Sequence, residues 1–227
     1  YTLTRSTDGG KKGEAGPRII REEAGGFVLA PGPVTIRIAA GRPFGLLGEV
    51  EVGDGGVVPG VPVGNAELVT VDGTVYRAGP PESMVLETNG PLRGVLRLEG
   101  RYVSAEGVAR MRYRVRLTAY RGRPDVRVQW TIGNDYQAEI FTGLRRASLT
   151  LPLVGGAVEQ ASLVTGESLI LQPATPLGVL QDYDDHVFVT KGDRREEGVH
   201  ETGFVRCQSA DVSVDAMVCD FWQTYPK

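Results

Sequence analysis

The densest chemistry in the sequence is cationic. Ten of its 25 basic residues fall in the 35 positions from 93 to 127: Arg93, Arg97, Arg101, Arg110, Arg112, Arg114, Arg116, Arg121, Arg123 and Arg127. A guanidinium presents a planar fork of donors that matches carboxylate, sulfate or phosphate. Arg110, Arg112, Arg114 and Arg116 alternate with Met111, Tyr113, Val115 and Leu117, so a strand would set four arginines on one face and four apolar residues on the other. Arg112, Arg114 and Arg116 are therefore candidate substrate-binding residues for an anionic ligand. The competing reading is a solvated face paired across strands with Glu99, Glu106 and Asp125. Nucleic acid fits neither reading, because Tyr113 and Trp130 point inward and no aromatic is interleaved with the arginines.

A second cluster is acidic. Asp182, Asp184 and Asp185, with Tyr183 and His186, place three carboxylates and an imidazole in five residues. Hard cations take oxygen ligands, so the segment suggests a calcium or magnesium loop, with calcium the candidate cofactor. It lacks the twelve-residue spacing and the glycine of an EF-hand, and an acidic turn before a strand at His186–Thr190 explains it as well. No other cofactor is expected. Only His186 and His200 offer an imidazole base, neither beside a recognisable nucleophile motif. Gly53-Asp54-Gly55-Gly56 opens no helix and carries no phosphate-loop lysine. With 28 acidic residues the chain has carboxylates enough for the paired site of a glycosidase, which is set by their separation. No catalytic residue is named on this basis.

The frame that must position these groups is β. The chain has 227 residues, 41% hydrophobic and 23% charged, which suffices for a real core. A net charge of −3 draws the whole molecule neither to nucleic acid nor to anionic membrane. No apolar run approaches the roughly 18 residues of a membrane span. The 31 glycines and 14 prolines follow no strict period and punctuate short apolar segments. Strands are expected at Phe27–Ala30, Val34–Ala39, Phe44–Val52, Glu67–Val71, Thr74–Arg77, Met84–Thr88, Leu92–Glu99, Ala109–Tyr120 and Asp125–Gly133. Further strands follow at Ala147–Leu153, Gln160–Val164, Glu167–Leu171, Leu177–Gln181 and His186–Thr190. Asp72-Gly73 reads as a two-residue hairpin turn with positive φ at both positions. Val126, Val128, Trp130 and Ile132 should face inward. No amphipathic helix exceeds two turns. The expected fold is all-β, an antiparallel β-sandwich or barrel-like stack with very little helix. Residues 1–227 are expected to form one β-rich portion, with a possible boundary near 57–64.

The two cysteines fall in a last hairpin, Phe204–Gln208 against Val212–Trp222. Pairing Gln208 with Ser213 sets Cys207 opposite Val214, and Cys219 on the other face with Met217 and Phe221, so a disulfide between them is not expected. Residues 6–16 read as a flexible loop. Strand-like sequence at both termini suggests a piece excised from a longer protein, N-terminal to a further domain.

Several blocks together carry a resemblance. Gly90-Pro91-Leu92-Arg93-Gly94-Val95-Leu96-Arg97-Leu98-Glu99-Gly100 is followed by Met111-Arg112-Tyr113-Arg114-Val115-Arg116-Leu117 and Gly122-Arg123-Pro124-Asp125-Val126-Arg127-Val128. The chain closes on Asp220-Phe221-Trp222-Gln223-Thr224-Tyr225-Pro226-Lys227. This resembles the exo-rhamnogalacturonan lyase-like family over roughly residues 17–227. The resemblance implies a secreted, extracellular or periplasmic, carbohydrate-active enzyme of the polysaccharide lyase type. Its N-terminal β-domains would lead into a helical domain holding most of the catalytic machinery. A "G-V-P-F"-like segment of the family is absent, and the chain stops before the helical part. The expectation is thus a non-catalytic β-portion of an enzyme acting on uronate-containing glycans, with acidic polysaccharide and the following helical domain as partners. The alternative is a structural or self-associating extracellular β-module without catalysis.

The terminal block has two readings. Trp222 and Tyr225 could stack on sugar rings while Gln223 and Lys227 bond hydroxyls or a carboxylate. Equally, Trp222 plugs a sheet edge and Tyr225-Pro226 fixes the chain's exit. Trp222→Ala separates them: a core indole costs roughly 3–5 kcal/mol and several degrees of melting temperature, whereas a sugar platform loses affinity for an acidic oligosaccharide at unchanged stability.

Overall fold

The computed structural model describes residues 16–45, 48–53, 56–58, 65–137, 141–151, 158–165, 168–173, 176–183, 186–198, 201–209 and 213–221. Among them there is no α-helix, and every strand pairing is antiparallel. The chain divides into two compact units, Tyr1–Val154 and Gly155–Lys227. The 59–64 part of the segment expected to hold a boundary lies outside the described residues.

The first unit is a sandwich. One sheet is a meander of five strands, β1 (Ile20–Glu23), β2 (Gly26–Leu29), β3 (Val34–Ala39), β4 (Glu49–Val52) and β5 (Gly56–Val58). The other contains β6 (Asn65–Thr70), β7 (Val75–Ala78), β8 (Ser83–Asn89), β9 (Arg93–Ser104), β10 (Ala109–Tyr120), β11 (Val126–Gly133) and β12 (Leu144–Thr150). Its order is β11-β10-β9-β7-β6-β12, with β8 also against β9. The long β9 pairs with β10 on one edge and splits the other between β8 and β7. Both sheets feed one core: Ile20, Leu29, Ile36 and Ile38 from the first meet Leu68, Leu96, Leu98, Val115 and Leu117 from the second. Met111, Tyr113, Val115 and Leu117 are all buried, and Val126, Val128, Trp130 and Ile132 pack on the same core, as the two-residue period requires.

The second unit has a four-stranded sheet, β14-β13-β18-β19, from β13 (Gln160–Thr165), β14 (Ser168–Pro173), β18 (Glu201–Gln208) and β19 (Ser213–Met217). A three-stranded sheet comprises β15 (Leu177–Tyr183), β16 (His186–Lys191) and β17 (Arg194–Gly198). Gln208 pairs with Ser213 and Cys207 with Val214, as expected, and both cysteines are free thiols. The final strand ends at Met217, short of the expected Trp222. Asp220 takes a left-handed φ of 54°, which turns the chain and removes Cys219 from any strand face.

Three further departures have local causes. The expected strand Phe44–Val52 begins only at Glu49, because Phe44 leaves the ladder to stack on Tyr113 at 5.3 Å between ring centroids. The Asp72-Gly73 turn has one left-handed position, not two: Gly73 has φ 89°, its N–H bonds the Thr70 carbonyl at 2.9 Å, and Val71 and Asp72 form the turn's centre. Asp72 locks this turn by accepting from the Thr70 hydroxyl at 2.5 Å and the Thr74 N–H at 3.1 Å. Finally, β9 runs on through Gly100 to Ser104, whereas the expected strand ended at Glu99.

Gly100 is interior because Tyr113, directly opposite, supplies the side chain it lacks. A Cβ at Gly100 would sit 2.6 Å from Cζ of that ring and 2.8 Å from Cε1. The ring cannot yield: it is buried, lies edge-on to Tyr102 at 5.8 Å, and its hydroxyl donates to the Gly79 carbonyl at 2.9 Å. Gly100→Ala is expected to overpack this site and lower stability by about 1–3 kcal/mol, read as a lower denaturant midpoint at unchanged m-value. A midpoint equal to wild type would show that the ring is free to move.

Candidate functional site

The outer face of the seven-stranded sheet carries the arginines. Arg97, Glu99 and Arg101 of β9 lie beside Arg116, Arg114 and Arg112 of β10 respectively. Two of these cross-strand pairs are thus arginine against arginine, an arrangement that repels unless anions intervene. Carboxylates intervene at both. Glu87 bridges Arg116 at 2.8 Å and Arg97 at 3.4 Å. Asp135 bridges Arg112 at 2.5 Å and Arg101 at 3.0 Å. Between them Glu99 accepts from Arg114 and lies 3.8 Å from Arg97. On the far side of the sheet Glu67 serves Arg77 at 3.3 Å and Arg146 at 2.5 Å in the same way.

This lattice places the three predicted binding arginines together on one solvent-facing row and also occupies them. Of the expected partners, Glu99 pairs within the row and Asp125 pairs with Arg123 at 2.7 Å. Among the described residues Glu106 pairs with no arginine; its carboxyl is held below the ordinary glutamate range by the Ser104 hydroxyl and its own backbone N–H. Sequence reasoning missed Glu87 and Asp135, the two carboxylates that make the row stable, because they come from β8 and from the segment after β11. Arg110 also departs from the expected row. Met111 has φ 57°, and the ladder slips there by one residue, so Arg110 stands opposite the core residue Tyr102. Its guanidinium lies over Tyr136, 4.2 Å from the ring centroid.

Underneath, the aromatic layer is neutral. Burial raises the hydroxyls of both Tyr102 and Tyr113 well above the ordinary tyrosine range, Tyr102 accepting from the Trp130 indole N–H at 2.8 Å. On the other sheet a cleft of about 580 Å³ lies among Glu23, Arg37, Arg42, Phe44 and Glu49. Arg37 spans Glu23 at 3.3 Å and Glu51 at 3.4 Å there.

The remaining expected sites are less informative. Trp222, Gln223, Tyr225 and Lys227 lie outside the described residues, as do Asp184 and Asp185. Asp182 falls in β15, close to the connection to β16 where Tyr183 pairs with His186. Among the described residues no three His, Cys, Asp or Glu side chains gather to hold a metal ion. His186 lies 3.0 Å from Glu197 on an exposed sheet surface.

The fold and this face define an antiparallel β-sandwich with an arginine–carboxylate lattice on one side. Residues 71–145, which take in β7 to β11 and the start of β12, match the family model described as PcRGLX-like protein central beta sandwich domain. The resemblance to the rhamnogalacturonan lyase-like family holds over that segment. No curated protein matches the chain.

The lattice predicts an acid dependence. Hydrogen bonding from Arg116 holds Glu87 below the ordinary glutamate range, and Arg114 does the same for Glu99. A carboxyl with a depressed folded pKa stabilises fully above its unfolded value of about 4.3 and loses that contribution as pH falls through the folded value. Glu87→Gln and Glu99→Gln should therefore be less stable than wild type near neutral pH. The deficit should shrink as pH falls from about 4 towards 3, measured by denaturant midpoints across the range. A deficit independent of pH would mean that the charge of these residues contributes nothing.

Proposed function

We propose that the chain is a non-catalytic β-portion of a secreted polysaccharide lyase, extracellular or periplasmic, that acts on uronate-containing glycans. The match of residues 71–145 to the central β-sandwich of the PcRGLX-like family carries this reading. The cationic face of the seven-stranded sheet supports it. Lyase chemistry on a uronate requires a cation to neutralise the carboxylate and a base to remove the adjacent α-proton. The carboxylates beside these arginines, Glu87, Glu99 and Asp135, are engaged in ion pairs with them, which makes them poor bases. In this reading the base belongs to a helical domain of the same parent protein, and the β-portion contributes scaffold and one surface for the acidic polymer, with Arg112, Arg114 and Arg116 in that surface.

The parent protein should release unsaturated product from rhamnogalacturonan, ulvan or another uronate polymer, followed by ultraviolet absorbance. No product from any acidic glycan would overturn the proposal. A second reading, a self-associating β-module without catalysis, draws on the sheet's terminal strands β11 and β12, whose outer edges pair with no further strand among the described residues. Light scattering distinguishes it: that reading requires assemblies larger than the monomer.

A further inference from the structure

In the middle of the arginine lattice every guanidinium has a carboxylate partner, and at one end two have none among the described residues. Tyr120 closes β10 on the outer face, since its neighbour Ala119 is wholly buried in the core while Tyr120 is 39% exposed. Arg93 stands directly opposite Tyr120 on β9. On the other flank Arg127 of β11 stands opposite Thr118, one diagonal step from Tyr120, a separation of about 7–8 Å. Both arginines are exposed, and neither has a carboxylate partner among the described residues. The nearest acid in sequence, Asp125, is already taken by Arg123 at 2.7 Å. This corner therefore presents two uncompensated guanidinium groups on either side of an accessible aromatic ring, on a molecule whose net charge is −3.

We infer that Tyr120, Arg93 and Arg127 form a binding subsite for the carboxylated sugar of an acidic glycan. A uronate residue combines an apolar C–H ring face with a planar carboxylate. The phenol offers a surface for the first and the guanidinium forks offer paired donors for the second. Arg112, Arg114 and Arg116 have their Nε donors committed to Asp135, Glu99 and Glu87. A ligand reaching them competes with a protein carboxylate for each guanidinium, whereas at this corner it meets no such competitor among the described residues. The inference rests on the uronate reading above and specifies where on this face such a chain is held.

The test measures binding of oligogalacturonate to the full chain by calorimetry at low salt, for wild type, Tyr120→Ala and the double variant Arg93→Gln/Arg127→Gln. All three positions are on the surface, and equal melting temperatures verify that the variants fold. Each variant should bind about tenfold more weakly than wild type, the double variant through lost charged hydrogen bonds and Tyr120→Ala through the lost aromatic contact. The carboxyl-reduced oligomer should bind wild type more weakly, and added salt should weaken the acidic oligomer. Unchanged affinity in both variants overturns the subsite. So does equal binding of polyglutamate or a sulfated glycan, which would make the corner a mere charge patch. The lyase assay on the parent protein separates the two claims. Cleavage with unaltered binding in the variants sinks the subsite and leaves the lyase reading standing. Variant-sensitive binding without cleavage of any uronate polymer does the reverse.

Discussion

The register of β9 against β10 is the constraint on which the first unit depends. Because side chains alternate at every residue, one register decides both faces at once. On the inner face it brings Tyr113 over Gly100, so that a buried ring fills the space a side chain would take in β9. On the outer face the same register opposes Arg116 to Arg97 and Arg112 to Arg101. A slip by one residue would bury guanidinium groups and expose the core, a cost far beyond any single contact. The slip does occur once, at Met111, where the left-handed residue inserts an extra position and directs Arg110 away from the row. That bulge lies near the end of the ladder, with only the pairs Arg110–Tyr102 and Ala109–Val103 beyond it.

Hydrophobic contact between the two sheets is not directional, and on its own it would allow one sheet to slide over the other. Polar ties resist this. At one end the Asn89 side chain behaves as a miniature strand partner: it accepts from the Ile20 N–H at 3.1 Å and donates to the Ile20 carbonyl at 2.7 Å. Arg121 donates to the Pro91 and Pro17 carbonyls, and the Gly122 N–H bonds the Pro31 carbonyl at 2.7 Å. Elsewhere the Phe44 N–H bonds the Gly79 carbonyl at 3.1 Å, the same oxygen that accepts from Tyr113. Each such bond contributes on the order of 1 kcal/mol net. Their larger effect is on geometry, because an unmatched register would leave buried backbone groups without partners.

Much of the sandwich was legible in the sequence for a simple reason. Alternation in 109–120 and 126–133 records which face is dry, and burial is what selects those residues. The last hairpin was legible down to the pairing of Cys207 with Val214, because its turn is short and its register has few alternatives. Gly100 misled for an equally physical reason: a glycine ends a strand or accommodates a neighbour's ring, and only the partner strand distinguishes the two. The bridging carboxylates were hidden in the same way. Nothing in the sequence near Arg112 or Arg116 points to Asp135 or Glu87, which reach the row only through the pairing of β8 with β9 and the turn after β11.

The same pairing changes what an arginine-rich segment means. Ten arginines in a short stretch suggest ten anion receptors, yet in the fold most are spent on making one another tolerable. Arg97, Arg101, Arg112, Arg114 and Arg116 are held by Glu87, Glu99 and Asp135, and Arg121 is consumed by backbone carbonyls. A guanidinium already in a partly shielded ion pair offers an incoming anion little, since the new contact must first break the old one. Recognition capacity therefore follows the local imbalance of charge rather than the count of cations. On this face the imbalance is found where the carboxylates run out, beyond Glu87 and Glu99, at the end of the sheet that Arg93 and Arg127 share. The lattice that weakens the claim of an incoming anion on the middle of the row also holds that end in place, because it ties β8, β9 and β10 in one register.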